Sequence, residues 1–145
     1  MPDPLLSTLL RRLHLRIRAD IHQAILEAGF DDLTPAHVYV FQLPGPDGLR
    51  PSELARSTNT TKQAMNHLLG RLEANGYLTR RRDSSDGRSK VLHVTTKGRQ
   101  VMKIMSEVSL DIERYWADAL GSHAVETLRR GLQQADSLHQ DGASA

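Results

Sequence analysis

The chain contains no cysteine. That excludes a disulfide framework, a thiolate metal site and thiol-based redox sensing, and it fits a reducing cytoplasm. Aromatic residues are scarce, at one Trp, three Tyr and two Phe among 145 residues. This length suits one domain with a real core, so the core must come from Leu, Ile, Val, Ala and Met. Long apolar runs are missing, which leaves no membrane-spanning segment. The start, Met1-Pro2-Asp3-Pro4-Leu5, lacks the charged and apolar regions of a signal peptide. A cytoplasmic protein without membrane contact is the expectation.

Chemistry-bearing constellations are missing as well. Seven histidines are present, but without metal-ligand spacing. His14 and His22 lie eight apart and share a helix face, while His37, His67, His93, His123 and His139 are scattered. No Gly-rich phosphate loop or nucleophile motif occurs. The adjacent Asp31-Asp32 reads as a helix lead-in, where negative charge is favourable. Neither a catalytic site nor a metal nor a cofactor is expected, and the chain does not read as an enzyme.

What is there is charge, unevenly placed. The formal net charge is only +2. Residues 50–99, however, hold eleven Lys/Arg against four acids, a net of +7. Residues 1–49 hold four Arg against six acids, and residues 104–145 three Arg against seven acids. A basic middle between acidic ends suggests a polyanion site on a scaffold that does not itself bind polyanion. Ordinary solvated surface charge is the plainer alternative.

Apolar periodicity predicts a helix over 5–28, through Leu5, Leu6, Leu9, Leu10, Leu13, Ile17, Ile21 and Ile25, stopped by Gly29. Its first turns are apolar on more than one side, so another chain is expected there; packing within the monomer is the alternative. Thr34 and Pro35 are the N-cap and first residue of a second helix through Ala36, Tyr39, Val40 and Leu43. The segment Pro44-Gly45-Pro46-Asp47-Gly48 must be a loop. Leu49-Arg50 suits a short β segment, and a helix restarts at Pro51. Asn59 suits a left-handed helix end. Thr60 and Gln63 have capping-box spacing, so the next helix begins near Thr61 and completes a helix-turn-helix.

On that helix Met65, Leu68, Leu69 and Leu72 recur as an inward face. Lys62, Gln63, Asn66, His67 and Gly70 form the other face, flanked by Arg71, without an acid. Amide and imidazole groups of this kind bond base edges or phosphates, although the helix alone reads equally as a polar surface helix. Gly70 costs roughly 1 kcal/mol inside a helix and suits a place where another backbone comes close. Asn75-Gly76 ends the helix. Tyr77-Leu78 and Val91-Leu92-His93-Val94 suit strands joined by a polar loop. At its base Arg80, Arg81 and Arg82 suit phosphates. In the loop Asp86 can brace Arg88, whose guanidinium suits a narrow minor groove. Thr95 caps a long apolar-striped helix through Val101, Ile104, Met105, Val108, Ile112 and Trp116. A last helix spans about 123–138.

Four runs together carry a resemblance. They are Pro51-Ser52-Glu53-Leu54-Ala55; Leu72-Glu73 with Gly76-Tyr77-Leu78; Arg82-Asp83 with Asp86-Gly87-Arg88; and Val94-Thr95-Thr96-Lys97-Gly98-Arg99. In this order and spacing the chain resembles the MarR family of bacterial winged-helix transcriptional regulators. The resemblance implies a mainly α fold with a small β-hairpin wing: a single domain over 1–145, with a DNA-binding winged helix-turn-helix over 34–95 and dimerisation helices at 5–28 and 100–138. Residues 140–145 are expected to form a disordered tail. It further implies a homodimer on a pseudo-palindromic double-stranded operator, minor-groove insertion of Arg88 braced by Asp86, and a small-molecule effector cavity between dimerisation helices and winged helix. The double-proline loop and Gly70, where the family usually has a polar side chain, depart from its pattern.

The expected function is a sequence-specific DNA-binding regulator, a repressor released by a small aromatic or phenolic effector. The DNA-binding candidates are Ser57, Thr60, Thr61, Lys62, Gln63, Asn66, His67, Arg71, Arg80, Arg81, Arg82, Asp86 and Arg88. The effector candidates are His14, Arg18 and His37, polar groups near the helix faces that would wall the cavity. A winged-helix module for protein–protein assembly is the competing reading.

Overall fold

The structure is a computed structural model that describes residues 2–43, 45, 47–82 and 90–142. The chain divides into two compact units, Met1–Ser106 and Glu107–Ala145. The first holds α1 (Leu6–Glu27), α2 (Pro35–Gln42), α3 (Pro51–Ser57), α4 (Lys62–Ala74), β1 (Leu78–Arg82), β2 (Lys90–Val94) and the start of α5 (Thr96–Leu120). The second holds the rest of α5 and α6 (Ser122–Gly142).

In α1 only the C-terminal turns enter the core, through Ile21 and Ile25. Leu5 and Leu6, at 73% and 78% exposure, and Leu9, Leu10, Leu13 and Leu15 stay open to solvent in the single chain. Gly29 takes a φ of +96° beyond the end of α1, and Phe30 N–H closes the last turn on Ile25 O at 3.2 Å. Thr34 caps α2 as expected, accepting His37 N–H at 3.3 Å, while Thr34 N–H donates to His37 Nδ1 at 3.2 Å. This is a capping box with histidine in the place of glutamate. From α1, His22 Nε2 lies 2.7 Å from Leu33 O, so two histidines hold the short α1–α2 connection. The buried side of α2 is His37, Val38, Val40 and Phe41. Tyr39 lies on the other side and is 39% exposed. This eight-residue helix is apolar nearly all round, so packing chose the side.

β1 and β2 form an antiparallel hairpin in which Leu78 faces Val94 and Arg82 faces Lys90. The anticipated β segment appears as a bridge between Leu49 and Leu92. Gly48 N–H donates to Leu92 O at 2.6 Å and Leu92 N–H to Leu49 O at 2.9 Å.

Tyr77 ties these parts together. Its side chain is fully buried, its hydroxyl donates to Asp32 in the α1–α2 connection, and its ring meets Phe30 and Phe41 at 6.2 and 6.3 Å. Burial and the nearby Asp32 carboxylate push its phenol well above the ordinary range, so it stays a donor. Its carbonyl accepts Thr95 N–H at 3.1 Å. Thr95 Oγ1 caps α5 by accepting Gly98 N–H at 3.1 Å. A Cβ at Gly98 would collide with the Tyr77 carbonyl and the Val94 side chain, which explains the glycine in the Thr-x-Lys-Gly run.

In the second unit, Arg129 bridges α6 to Glu113 of α5 at 2.7 Å. α6 runs on to Gly142, past the end expected at 138 and into residues anticipated as tail. Nothing before Gly142 breaks a helix, and Gln140 bonds Asp136 one turn back at 2.9 Å. Residues 143–145 lie outside the described residues.

Two outcomes follow for stability. Tyr77→Phe should cost about 1–2 kcal/mol in urea unfolding, the scale of a partly solvated bond to a carboxylate. Burial, and then the Arg71 guanidinium and His67, hold the His37 ring below its ordinary value of 6.5, against an opposing pull from Asp32. The unfolded chain then takes up the proton first as pH falls. Stability should be full above 6.5, drop as pH passes below it, and level off below the lowered folded value. A Tm series across this range should slope more in wild type than in His37→Asn.

Candidate nucleic-acid interface

The turn between α3 and α4 is built from local bonds. Thr58 Oγ1 donates to Leu54 O at 2.9 Å. Asn59 adopts φ 51°, the left-handed conformation expected of it, and Thr60 N–H reaches Ala55 O at 3.0 Å. That closure uses Thr60 to end α3, so it does not cap α4 as anticipated. Its hydroxyl donates to Thr58 O at 3.3 Å. The cap falls one residue later, where Thr61 Oγ1 accepts Ala64 N–H at 3.1 Å.

α4 turns Met65, Leu69 and Leu72 into the core. Thr61, Lys62, Gln63, His67 and Arg71 are exposed, and Asn66 and Gly70 half-buried. Ser57, at the end of α3, is exposed and donates its hydroxyl to Leu54 O at 3.0 Å. The polar strip therefore forms as the spacing implied. A Cβ at Gly70 would meet nothing within 4 Å, so the close backbone anticipated there does not come from this chain's described residues.

The far end of α4 is anchored rather than free. Gly76 has φ +82°, and Lys97 Nζ donates to Asn75 O at 2.9 Å while lying 4.3 Å from the centre of the Tyr77 ring. A cation at a helix C-terminus complements its dipole.

At the hairpin base, Arg80 is engaged: its Nε donates to Glu73 of α4 at 3.1 Å. That pair braces β1 against α4 and separates Arg80 from its neighbours. Arg81 and Arg82 are exposed. Arg82 stands directly opposite the exposed Lys90, and facing like charges cost stability. An anion laid against them would offset that cost. Asp86 and Arg88 lie outside the described residues, as does Asp83.

Asp47, which in sequence is only part of a turn, makes several contacts. One carboxylate oxygen accepts Val94 N–H at 3.0 Å and lies 3.4 Å from His93 Nδ1; the other accepts from Arg99 at 2.7 Å. The Val94 N–H and then Arg99 hold this carboxyl below its usual range.

The three effector candidates do not converge. His14 is exposed on α1. His37 is buried, with Nδ1 committed to the α2 cap. Arg18 places its guanidinium 5.6 Å from the centre of the Tyr39 ring and lines a groove of about 470 Å³ with Leu15, Ala19, His22, Gln23 and Pro35. His22 is the polar neighbour missed from sequence; only its eight-residue spacing from His14 marked it. Among the described residues, no group of three or more His, Asp or Glu is placed to hold a metal. No helix among them is long and apolar enough to cross a membrane.

A sequence model of the MarR family matches residues 31–89. The HTH-type transcriptional repressor Rv2887 of Mycobacterium tuberculosis is 35% identical over 101 residues, covering 70% of this chain and 71% of that protein. The structure of Rv2887 in complex with salicylic acid aligns with a TM-score of 0.64 at 30% identity, over 92% of this chain and 97% of that one. The transcriptional repressor CouR, bound to a 23-mer DNA duplex, aligns with a TM-score of 0.67 at 27% identity, over 91% and 92% of the two chains. The crystal structure of MarR shares the fold, with a TM-score of 0.77 at 22% identity over 98% and 97%. A capped helix-turn-helix leading into a basic hairpin, together with this level of identity to Rv2887, places the chain in the MarR family of winged-helix transcriptional regulators.

Proposed function

We propose that this protein is a cytoplasmic repressor that binds a pseudo-palindromic double-stranded operator as a homodimer and is released by a small aromatic or phenolic ligand. The observation that carries the DNA-binding reading is the exposed strip of α4, where Thr61, Lys62, Gln63, His67 and Arg71 stand without an acid. Lys62, Gln63, Asn66 and His67 read base edges in the major groove. Ser57, Thr60, Thr61, Arg71, Arg81 and Arg82 hold phosphates, and Arg80 contributes to them only by giving up Glu73. Arg88, braced by Asp86, enters the minor groove. Much of the affinity comes from phosphate neutralisation and falls steeply with salt.

The dimer reading rests on leucines that one chain leaves uncovered: Leu5, Leu6, Leu9 and Leu10 on α1, Leu110 on α5, and Leu128, Leu132 and Leu138 on α6. A two-fold interface would bury them, with 5–28 and 100–138 as the dimerisation segments. For release, a ligand must favour a spacing of the α4 helices that does not match two half-sites. The groove beside Arg18 and His22 suits the carboxylate or phenolate of such a ligand, and the salicylic acid complex of Rv2887 supports that chemical class. A protein-assembly module is disfavoured by the acid-free α4 strip and by the opposed Arg82 and Lys90.

Arg88→Ala should weaken operator binding by about tenfold or more, the scale of one specific contact to DNA, and leave the dimer folded. A footprint of this variant at wild-type affinity would sink the wing assignment. Gly70→Ala should raise stability by about 0.5–1 kcal/mol, because its methyl meets nothing within 4 Å among the described residues. If DNA supplies the close neighbour at Gly70, the same variant binds the operator less tightly, which a fluorescence titration would read.

A further inference from the structure

The geometry points to Asp47 as a positioning residue for DNA binding: its carboxylate sets the direction in which the β1–β2 hairpin leaves the body, and so where the wing meets DNA. The inference rests on the DNA-binding reading above.

A two-stranded hairpin is marginal alone and needs a third element. Here Leu49 supplies one bridge, at Leu92. Two residues further along the same edge of β2, no backbone group among the described residues continues the ladder at Val94. Its N–H is taken by the Asp47 side chain at 3.0 Å. The second carboxylate oxygen accepts from Arg99, 2.7 Å away and within the first turn of α5. Val94 ends β2 and Thr95 caps α5, so one carboxylate spans the hinge from strand to helix. His93, at 3.4 Å, adds attraction when protonated. Every group here belongs to the first compact unit. The bond to Arg80 sits at the opposite strand, where Glu73 braces β1 against α4. Each strand of the hairpin is therefore held by an acid on a neighbouring segment.

Simple electrostatics and positioning make opposite forecasts. Removing an acid from a DNA-binding protein raises its positive field and should tighten binding. Removing a strut that aims the wing should loosen it. Asp47→Asn is nearly isosteric and keeps an acceptor for Val94 N–H, but its amide cannot pair with Arg99. Asp47→Glu keeps the charge and displaces the carboxylate by a methylene.

The test uses a duplex selected by the wild-type full-length protein from a random pool, with the active fraction of each variant measured first. Asp47→Asn should bind this duplex about tenfold less tightly in spite of its added positive charge, the scale expected when a misaimed wing no longer seats on the DNA. The slope of log Kd against log salt should shrink by about one to two, as wing phosphates disengage. A purely structural role would lower the active fraction and the Tm but leave the affinity and salt slope of the active protein unchanged. Equal or tighter binding by Asp47→Asn, or an unchanged slope, overturns the proposal. Should Asp47→Asn fail to fold, Asp47→Glu is read by the same two measurements, again with weaker binding and a smaller slope expected. If the wild-type protein selects no duplex at all, the DNA-binding reading itself falls; if it does and both variants match it, only the role of Asp47 falls.

Discussion

The bond from the Tyr77 hydroxyl to Asp32 is the constraint on which the first unit depends. Tyr77 is the second residue after the Asn75 C-cap of α4 and lies immediately before β1. Asp32 lies in the connection between α1 and α2. One side chain thus joins the end of α4, the start of the β1–β2 hairpin and the α1–α2 connection across a chain separation of 45 residues. Around it the other parts accumulate. Phe30 and Phe41 pack on the ring, Lys97 covers it while closing the end of α4, and Gly98 lets α5 pass against the Tyr77 carbonyl. A buried phenol without its acceptor would carry an unsatisfied donor, so the connection and the tyrosine constrain each other.

This arrangement gives the interface rigidity and leaves Lys62, His67 and Arg71 exposed. Among the described residues, Glu73 is assigned to Arg80, Asp47 to Val94 and Arg99, and Asp32 to Tyr77. Each holds an element in place. A polyanion approaching that strip meets Lys62, His67 and Arg71 with little local repulsion. The cost of gathering like charge, visible where Arg82 faces Lys90, is carried by a scaffold whose ends are acidic. A net charge of +2 conceals this division completely.

Much of the local structure was legible in the sequence because its causes are local. Thr34 with Pro35, the left-handed Asn59, Gly76 after α4 and Thr95 before α5 each satisfy backbone groups within a few residues. The amphipathic face of α4 followed from spacing alone. Other features were not legible. Two adjacent threonines both suit an N-cap, and the choice of Thr61 turned on Thr60 closing α3 with its own amide. The side of α2 that is buried depended on its neighbours, because Tyr39 and Phe41 are equally apolar in sequence. Arg80 is indistinguishable from Arg81 and Arg82 until Glu73 is seen beside it. His37 has the chemistry of a pocket residue, but its ring nitrogen is spent on a cap.

Residues 60–94 carry both kinds of information. Their residue pattern alone makes them a capped helix with one apolar and one polar face, followed by a basic hairpin, since period, capping and turn chemistry act over a few residues. Composition likewise determined that no thiol chemistry is available and that the core is aliphatic. Packing between elements settles which cations remain exposed and how the hairpin is fastened to the body. Those outcomes rest on contacts between segments 7 to 52 residues apart, such as Glu73 with Arg80 and Asp47 with Arg99. Spacing in one dimension does not encode them, because each depends on where independent elements come to pack.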